Sequence, residues 1–185
     1  MNKSDPKSGR DSLRREKRAL SGVLLLTLAL LMGLWVFSYY STGARLRRAS
    51  LRIVQLVEKT GDESPVALGL AAHRLGKNLA EDAVLDYTPH GILATGRQEI
   101  VQLFAQIRSL LAQIRLNDPQ AVVLASRQGE VTIHLKARYR LVPEAGAAEE
   151  GNGSAELLWR KGADGWRIDN VTIQTEDGAR FPGNW

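Results

Sequence analysis

The pattern of apolar and polar positions changes character along the chain. Residues 19–40 form an apolar run without a charged side chain, whereas residues 97–116 repeat apolar side chains every three or four positions. Beyond residue 120 the repeat shortens to two, as it does in a strand with one buried face. The pattern therefore predicts a helix of membrane length, then helices that pack on one side, then a run of β-strands.

Three shorter helices follow the apolar run. Residues 41–63 predict a juxtamembrane amphipathic helix and linker, with Leu46 and Ile53 on its apolar stripe. Ser64 followed by Pro65 is typical of a helix start, and this second helix is predicted to reach about Leu79. The long helix is predicted over 97–116, ended by the turn residues 117–119.

The predicted strands alternate between buried and exposed positions. They cover 83–87 and 92–94, which form a small hairpin, and then 121–126, 130–142, 154–161 and 166–175. In 130–142 one face is apolar and the other carries Lys136, Arg138 and Arg140. Helices followed by an antiparallel meander predict an α+β fold, with the helices packed on a curved sheet.

The apolar run is long enough to cross a bilayer. Its 22 residues would extend about 33 Å as a helix, close to the thickness of a hydrocarbon core. Seven basic side chains precede it and four follow it, which favours a cytoplasmic N-terminus. We therefore predict a disordered basic cytoplasmic tail at 1–18, a transmembrane signal anchor at 19–40 and an extracytoplasmic remainder that ends in a tail at 177–185. A cleaved signal peptide, with Thr42 and Ala44 as small residues after the run, is the alternative.

Charge and composition exclude several functions. The formal charge is +5, but residues 1–60 carry 12 Lys and Arg against 4 Asp and Glu, a net of +8, which leaves −3 on residues 61–185. The folded part therefore lacks the clustered basic field that nucleic-acid binding needs. The chain has no Cys, and its three His residues fall on different predicted elements. We predict neither a metal site nor a cofactor.

Three passages carry a resemblance to a known family. They are Leu-Ala-Glu-Asp-Ala-Val-Leu-Asp at 79–86, Thr-Gly-Arg-Gln-Glu-Ile at 95–100 and Gly-Trp-Arg-Ile at 165–168. In order and spacing they resemble the nuclear transport factor 2-like superfamily, which includes polyketide cyclases, scytalone dehydratase and ketosteroid isomerases. The resemblance covers about 64–175 and implies a cone-shaped domain over 64–176.

The resemblance also implies where a pocket would lie, namely between the helices and the concave face of the sheet. The residues that it places there are aromatic side chains and one histidine: His73, Tyr87, Phe104, Tyr139 and Trp159. The alternative is that the aromatic side chains fill an ordinary core.

The catalytic residues of the isomerase-like members do not carry over to this sequence. Those members use a carboxylate base near the end of the first strand, and an alignment without gaps places Tyr87 at that position. Asp86 is expected on the opposite face of the strand. On the core face of 130–142 only the phenol of Tyr139 could donate a hydrogen bond to an oxyanion. We therefore predict no catalytic residues and do not favour an enzyme.

Two functions remain. The first is a membrane-anchored, non-catalytic interaction or assembly module in the bacterial inner membrane, as a subunit of a membrane-associated complex. Its layout resembles that of the bitopic periplasmic subunit of type IV secretion systems. It would bind a protein partner or a second copy through the sheet, and the partner face would carry Lys136, Arg138 and Arg140. The second is a small-molecule-binding protein, or an isomerase- or dehydratase-like enzyme, that takes a small apolar ligand into the cone.

Overall fold

The computed structural model describes residues 27, 28, 30–33 and 41–176. The predicted tails at 1–18 and 177–185 and most of the predicted anchor at 19–40 lie outside the described residues. Residues 27, 28 and 30–33 are helical, and the large apolar side chains among them are exposed. Within the described ranges, no helix is both long and apolar enough to cross a bilayer.

The chain divides into two compact units, Met1–Ala44 and Arg45–Trp185. The described helices and strands that follow the apolar run are α1 Thr42–Val57, α2 Pro65–Gly76, β1 Leu79–Thr88, β2 Gly91–Thr95, α3 Arg97–Leu110, β3 Leu111–Arg127, β4 Glu130–Pro143, β5 Glu149–Gly162 and β6 Gly165–Thr175.

The six strands form one sheet in the order β2-β1-β6-β5-β4-β3. Neighbouring strands are antiparallel except β1 and β6, which are parallel. The predicted hairpin is confirmed, since Tyr87 of β1 pairs with Gly91 of β2. The predicted α+β class is therefore confirmed, with a curved and mainly antiparallel sheet.

Helix α1 belongs to the folded domain. It buries Leu46, Ser50, Ile53 and Val54. Ser50 is 0% exposed and its hydroxyl accepts a hydrogen bond from the indole Nε1 of Trp159 at 3.0 Å. The compact unit accordingly begins at Arg45, whereas the sequence placed the start of the domain at residue 64. The apolar stripe of α1 requires cover, and the core of the domain provides it.

Helix α2 begins as predicted and ends earlier. The Ser64 hydroxyl accepts a hydrogen bond from the backbone N–H of Ala67 at 3.2 Å, and Pro65 occupies the first helical position. The helix was predicted to reach Leu79 but ends at Gly76. Leu79 is instead the first residue of β1, where its side chain is buried in the core.

The prediction of a helix over 97–116 is wrong after Leu110. Leu111 and Ile114 are buried residues of β3, and a register shift between Leu111 and Gln113 inserts an extra residue there. That bulge spaces two buried side chains three positions apart, as a helix would. A second shift, between Asn117 and Gln120, accommodates the predicted turn at 117–119 inside the same long strand.

The core lies between the helices and one face of the sheet. Strand β4 alternates as predicted, with Val131, Ile133 and Leu135 buried. These side chains pack in one cluster with Leu79, Ile168 and the buried residues of α1. We call this core-facing side the inner face of the sheet and the opposite side the outer face.

Candidate functional site

Two of the predicted pocket residues lie far apart along the inner face. Trp159 is 2% exposed, packs in the core cluster and pairs with Val131 across the sheet. Tyr139 is also buried, but it lies eight residues beyond Val131 on β4. Eight residues of extended strand measure about 27 Å. The structure therefore does not bring Trp159 and Tyr139 together, and Trp159 is a core residue.

Tyr87 occupies the position at which the resemblance implies a catalytic carboxylate. The side chain is buried at the end of β1, and its hydroxyl lies 3.0 Å from the Thr175 hydroxyl, within hydrogen-bond distance. Its ring stacks on His90 with the ring centroids 5.2 Å apart. A phenol hydroxyl therefore stands at the position where the resemblance implies a carboxylate.

Asp86 lies next to Tyr87 and points to the other face of β1, as the sequence predicted. Its neighbours in the sheet are Ile92 on β2 and Thr172 on β6. One carboxylate oxygen, Oδ1, is buried and has no hydrogen-bond partner within the described residues. The Asp86 carboxylate is therefore not available to a ligand bound on the inner face of the sheet.

The two helical candidates, His73 and Phe104, differ in burial. His73 is exposed on α2, since Ala71, Ala72 and Leu75 form the buried side of that helix. Phe104 of α3 is half-buried, and the Arg108 guanidinium lies over its ring at 5.5 Å from the centroid. This contact fits a cation–π role in packing.

The outer face of β4 carries the predicted partner residues, but its charges are largely paired. Arg138 donates to Asp118 at 2.7 Å, and Arg140 lies 3.2 Å from Glu150. Lys136 has no ion pair in the part of the chain that the structure describes. Exposed apolar side chains, Val122 and Leu124, lie on the neighbouring edge strand β3. This face is therefore mixed in character, not uniformly basic.

A buried cation, Arg108, was missed by the sequence analysis. It is only 6% exposed. Its Nε and Nη2 donate to the Glu63 carboxylate at 2.7 and 3.1 Å. The remaining N–H groups donate to the carbonyls of Leu56, Val57 and Glu58 at 2.8 to 2.9 Å. The guanidinium thus satisfies the last carbonyl groups of α1, which a helix end leaves without partners.

Lys59 extends the same cluster. Its backbone N–H and C=O exchange hydrogen bonds with Ile114 of β3 at 2.9 and 2.8 Å. Its ammonium donates to the carbonyls of Arg108 and Leu111 at 3.1 and 2.6 Å. We call Arg108, Lys59 and Glu63 the clamp. The hydrogen bonds of the clamp join the end of α1 to α3 and to β3.

The described residues contain no group of three His, Asp or Glu side chains placed to hold a metal ion.

Neither protein-family models nor curated proteins match the sequence. Solved structures, by contrast, match the fold. A nuclear transport factor 2-like protein with a cystatin-like fold from Novosphingobium aromaticivorans is 18% identical, with a TM-score of 0.51 over 76% of this chain and 93% of that one.

A provisionally named scytalone dehydratase from the same organism is 14% identical, with a TM-score of 0.53 over 69% of this chain and 82% of that one. A provisionally named calcium/calmodulin-dependent protein kinase II association domain from Xanthomonas campestris is 11% identical, with a TM-score of 0.53 over 75% and 91%. The domain has a nuclear transport factor 2-like fold. One of these structures is named as an enzyme and another as an association domain, so the fold alone does not identify an activity.

Proposed function

We propose that this chain is a single-pass membrane protein whose nuclear transport factor 2-like domain is a non-catalytic assembly module. Residues 19–40 anchor it in a bacterial inner membrane with the N-terminus in the cytoplasm and the domain outside it. The length of the apolar run and the excess of basic residues before it support this arrangement.

The observation that carries the non-catalytic role is the environment of Tyr87. The inner-face positions of β1 are Ala83, Leu85 and Tyr87, and the Tyr87 hydroxyl is within hydrogen-bond distance of Thr175. The facing positions of β4 are apolar side chains and Tyr139. An isomerase- or dehydratase-like reaction needs a base that takes a proton from carbon and a donor that stabilises the resulting oxyanion. The inner-face positions of β1 and β4 offer no carboxylate for the first role.

The outer face supports association with a second copy or with another protein. A contact between two copies related by a twofold axis places the same patch on both sides, so a charged patch is self-complementary only if it carries both signs. The outer face around β4 has them, in Arg138 with Asp118 and Arg140 with Glu150. Exposed Val122 and Leu124 supply apolar surface further along β3, where Val122 pairs with His134.

The assembly role is tested by native mass spectrometry of the full chain extracted in a non-ionic detergent. We expect a dimer, or a stable complex with a second protein, and we expect the K136E/R138E variant to lose it. The control variant R47E/K77E reverses two exposed charges on and beside the helices and should leave assembly unchanged. A wild-type chain found only as a monomer without partners would overturn the proposal.

The membrane arrangement is tested separately by fractionation and by a C-terminal alkaline phosphatase fusion, which is active only outside the cytoplasm. We expect the chain in the membrane fraction and an active fusion. Recovery in the soluble fraction, or an inactive fusion on an intact chain, would refute the proposed topology.

A further inference from the structure

A groove of about 470 Å³ lies between α1 and the end of α2. Its apolar floor is made by Ala49, Ile53 and Leu56 of α1. Its polar groups include Arg52 from α1 and Arg74 and Asn78 from the end of α2. Its floor residue Ile53 also belongs to the core cluster, whereas Arg52, on the same turn of α1, is exposed to solvent.

The two guanidinium groups of the groove are uncompensated. Neither Arg52 nor Arg74 takes part in an ion pair among the described residues. Helix α1 contains no acidic side chain. The carboxylate nearest to each along the chain has another partner: Glu58 accepts from the backbone N–H of Leu116, and Glu81 lies 4.0 Å from Arg97. An open groove with two cations that form no ion pair among the described residues, above an apolar floor, fits a ligand with an anionic head and an apolar body.

A basic stripe along α1 leads into this groove. Arg45, Arg48 and Arg52 follow one another at intervals of three and four residues, so they share one side of the helix. The stripe begins three residues after Thr42, the first residue of α1, and only Ser41 separates Thr42 from the apolar run in the sequence. Basic side chains next to a transmembrane segment attract anionic headgroups. The stripe therefore favours a membrane lipid over a soluble anion as the source of the ligand.

We propose that the groove between α1 and α2 binds an anionic phospholipid, with its phosphate between Arg52 and Arg74 and its apolar part against Ala49, Ile53 and Leu56. This inference rests on the proposed membrane anchor and adds a lipid site to it. The anchor alone would hold the chain in any bilayer, whereas the groove discriminates between headgroups.

The experiment is native mass spectrometry of the full chain released from nanodiscs that contain phosphatidylglycerol and phosphatidylcholine in equal amounts. We expect wild-type protein to retain one phosphatidylglycerol in preference to phosphatidylcholine. A basic side chain at a membrane surface contributes about fivefold in affinity, so R52Q/R74Q should lower phosphatidylglycerol retention by about 25-fold. The R52K/R74K variant keeps both charges and should retain most of the lipid.

The control R47Q/K77Q removes one charge from α1 and one from the end of α2, both outside the groove. It should retain the lipid as the wild type does. Equal retention by R52Q/R74Q and wild type, equal retention of the two lipids, or displacement of phosphatidylglycerol by inorganic phosphate would each overturn the lipid site. If the chain fails to enter nanodiscs at all, the proposed anchor is refuted instead, which distinguishes the two failures.

Discussion

Replacing Arg108 with Met should strongly destabilise the domain. The guanidinium is buried and makes two hydrogen bonds to the Glu63 carboxylate and three to the carbonyls at the end of α1. Methionine preserves much of the apolar volume but none of these bonds. It leaves a mostly buried carboxylate and three carbonyls without their partner.

The expected loss follows from that geometry. Removing one member of a buried ion pair costs about 3 to 5 kcal/mol, because the remaining charge stays desolvated and unpaired. For a domain of this size, about 1 kcal/mol corresponds to 2 to 4 °C in Tm, so R108M should lower Tm by about 6 to 20 °C. Removing the stranded carboxylate as well, in E63L/R108M, should recover about 1.5 to 3 kcal/mol of that loss.

The assay is urea unfolding of the full chain in non-ionic detergent, followed by tryptophan fluorescence. A matched control is R160Q, which removes an arginine whose ion pairs with Glu130 and Asp169 lie at the surface. That variant should lose less than about 1 kcal/mol. The reasoning is refuted if R108M and R160Q lose the same amount, or if E63L/R108M is no more stable than R108M.

Three further substitutions test the packing of the domain by the same unfolding assay. S50A should cost about 1 to 3 kcal/mol because it leaves the buried indole N–H of Trp159 without its acceptor; a loss no larger than that of an exposed Ser→Ala control would contradict this. I133A removes a fully buried side chain from the centre of β4 and should cost about 2 to 5 kcal/mol, and I133V clearly less. G96A should lower the free energy of unfolding by about 1 to 3 kcal/mol, since Gly96 has φ +88° and ψ 148°, which only glycine adopts readily. The control is G69A, a substitution in α2 at a position with open space around it.

Local patterns were sufficient to predict most elements of the fold. The two-residue alternation of β4 predicted its buried face, and Ser64 with Pro65 marked the start of α2. The end of α3 was missed because a bulge next to Leu111 gave strand residues a helical spacing. A bulge is decided by pairing with the neighbouring strand, which a single sequence does not display.

The site was less predictable than the fold because it depends on contacts between distant parts of the chain. Arg108 follows Ile100 and Phe104 at intervals of four, so its position in the apolar stripe of α3 was visible, but its partner Glu63 was not. Membership of α1 in the domain likewise depends on Ser50 meeting Trp159, which lies 109 residues further along the chain. Such pairs are specified by the tertiary structure as a whole.

The bond between Ser50 and Trp159 has a consequence for how the chain is made. Helix α1 leaves the ribosome long before β5, because 109 residues separate the two partners. At a synthesis rate of about 5 to 20 residues per second, that interval lasts about 5 to 20 s. Throughout it, the part of α1 around Ser50 lacks its native partner Trp159, so a chaperone or the bilayer surface has the first opportunity to bind there.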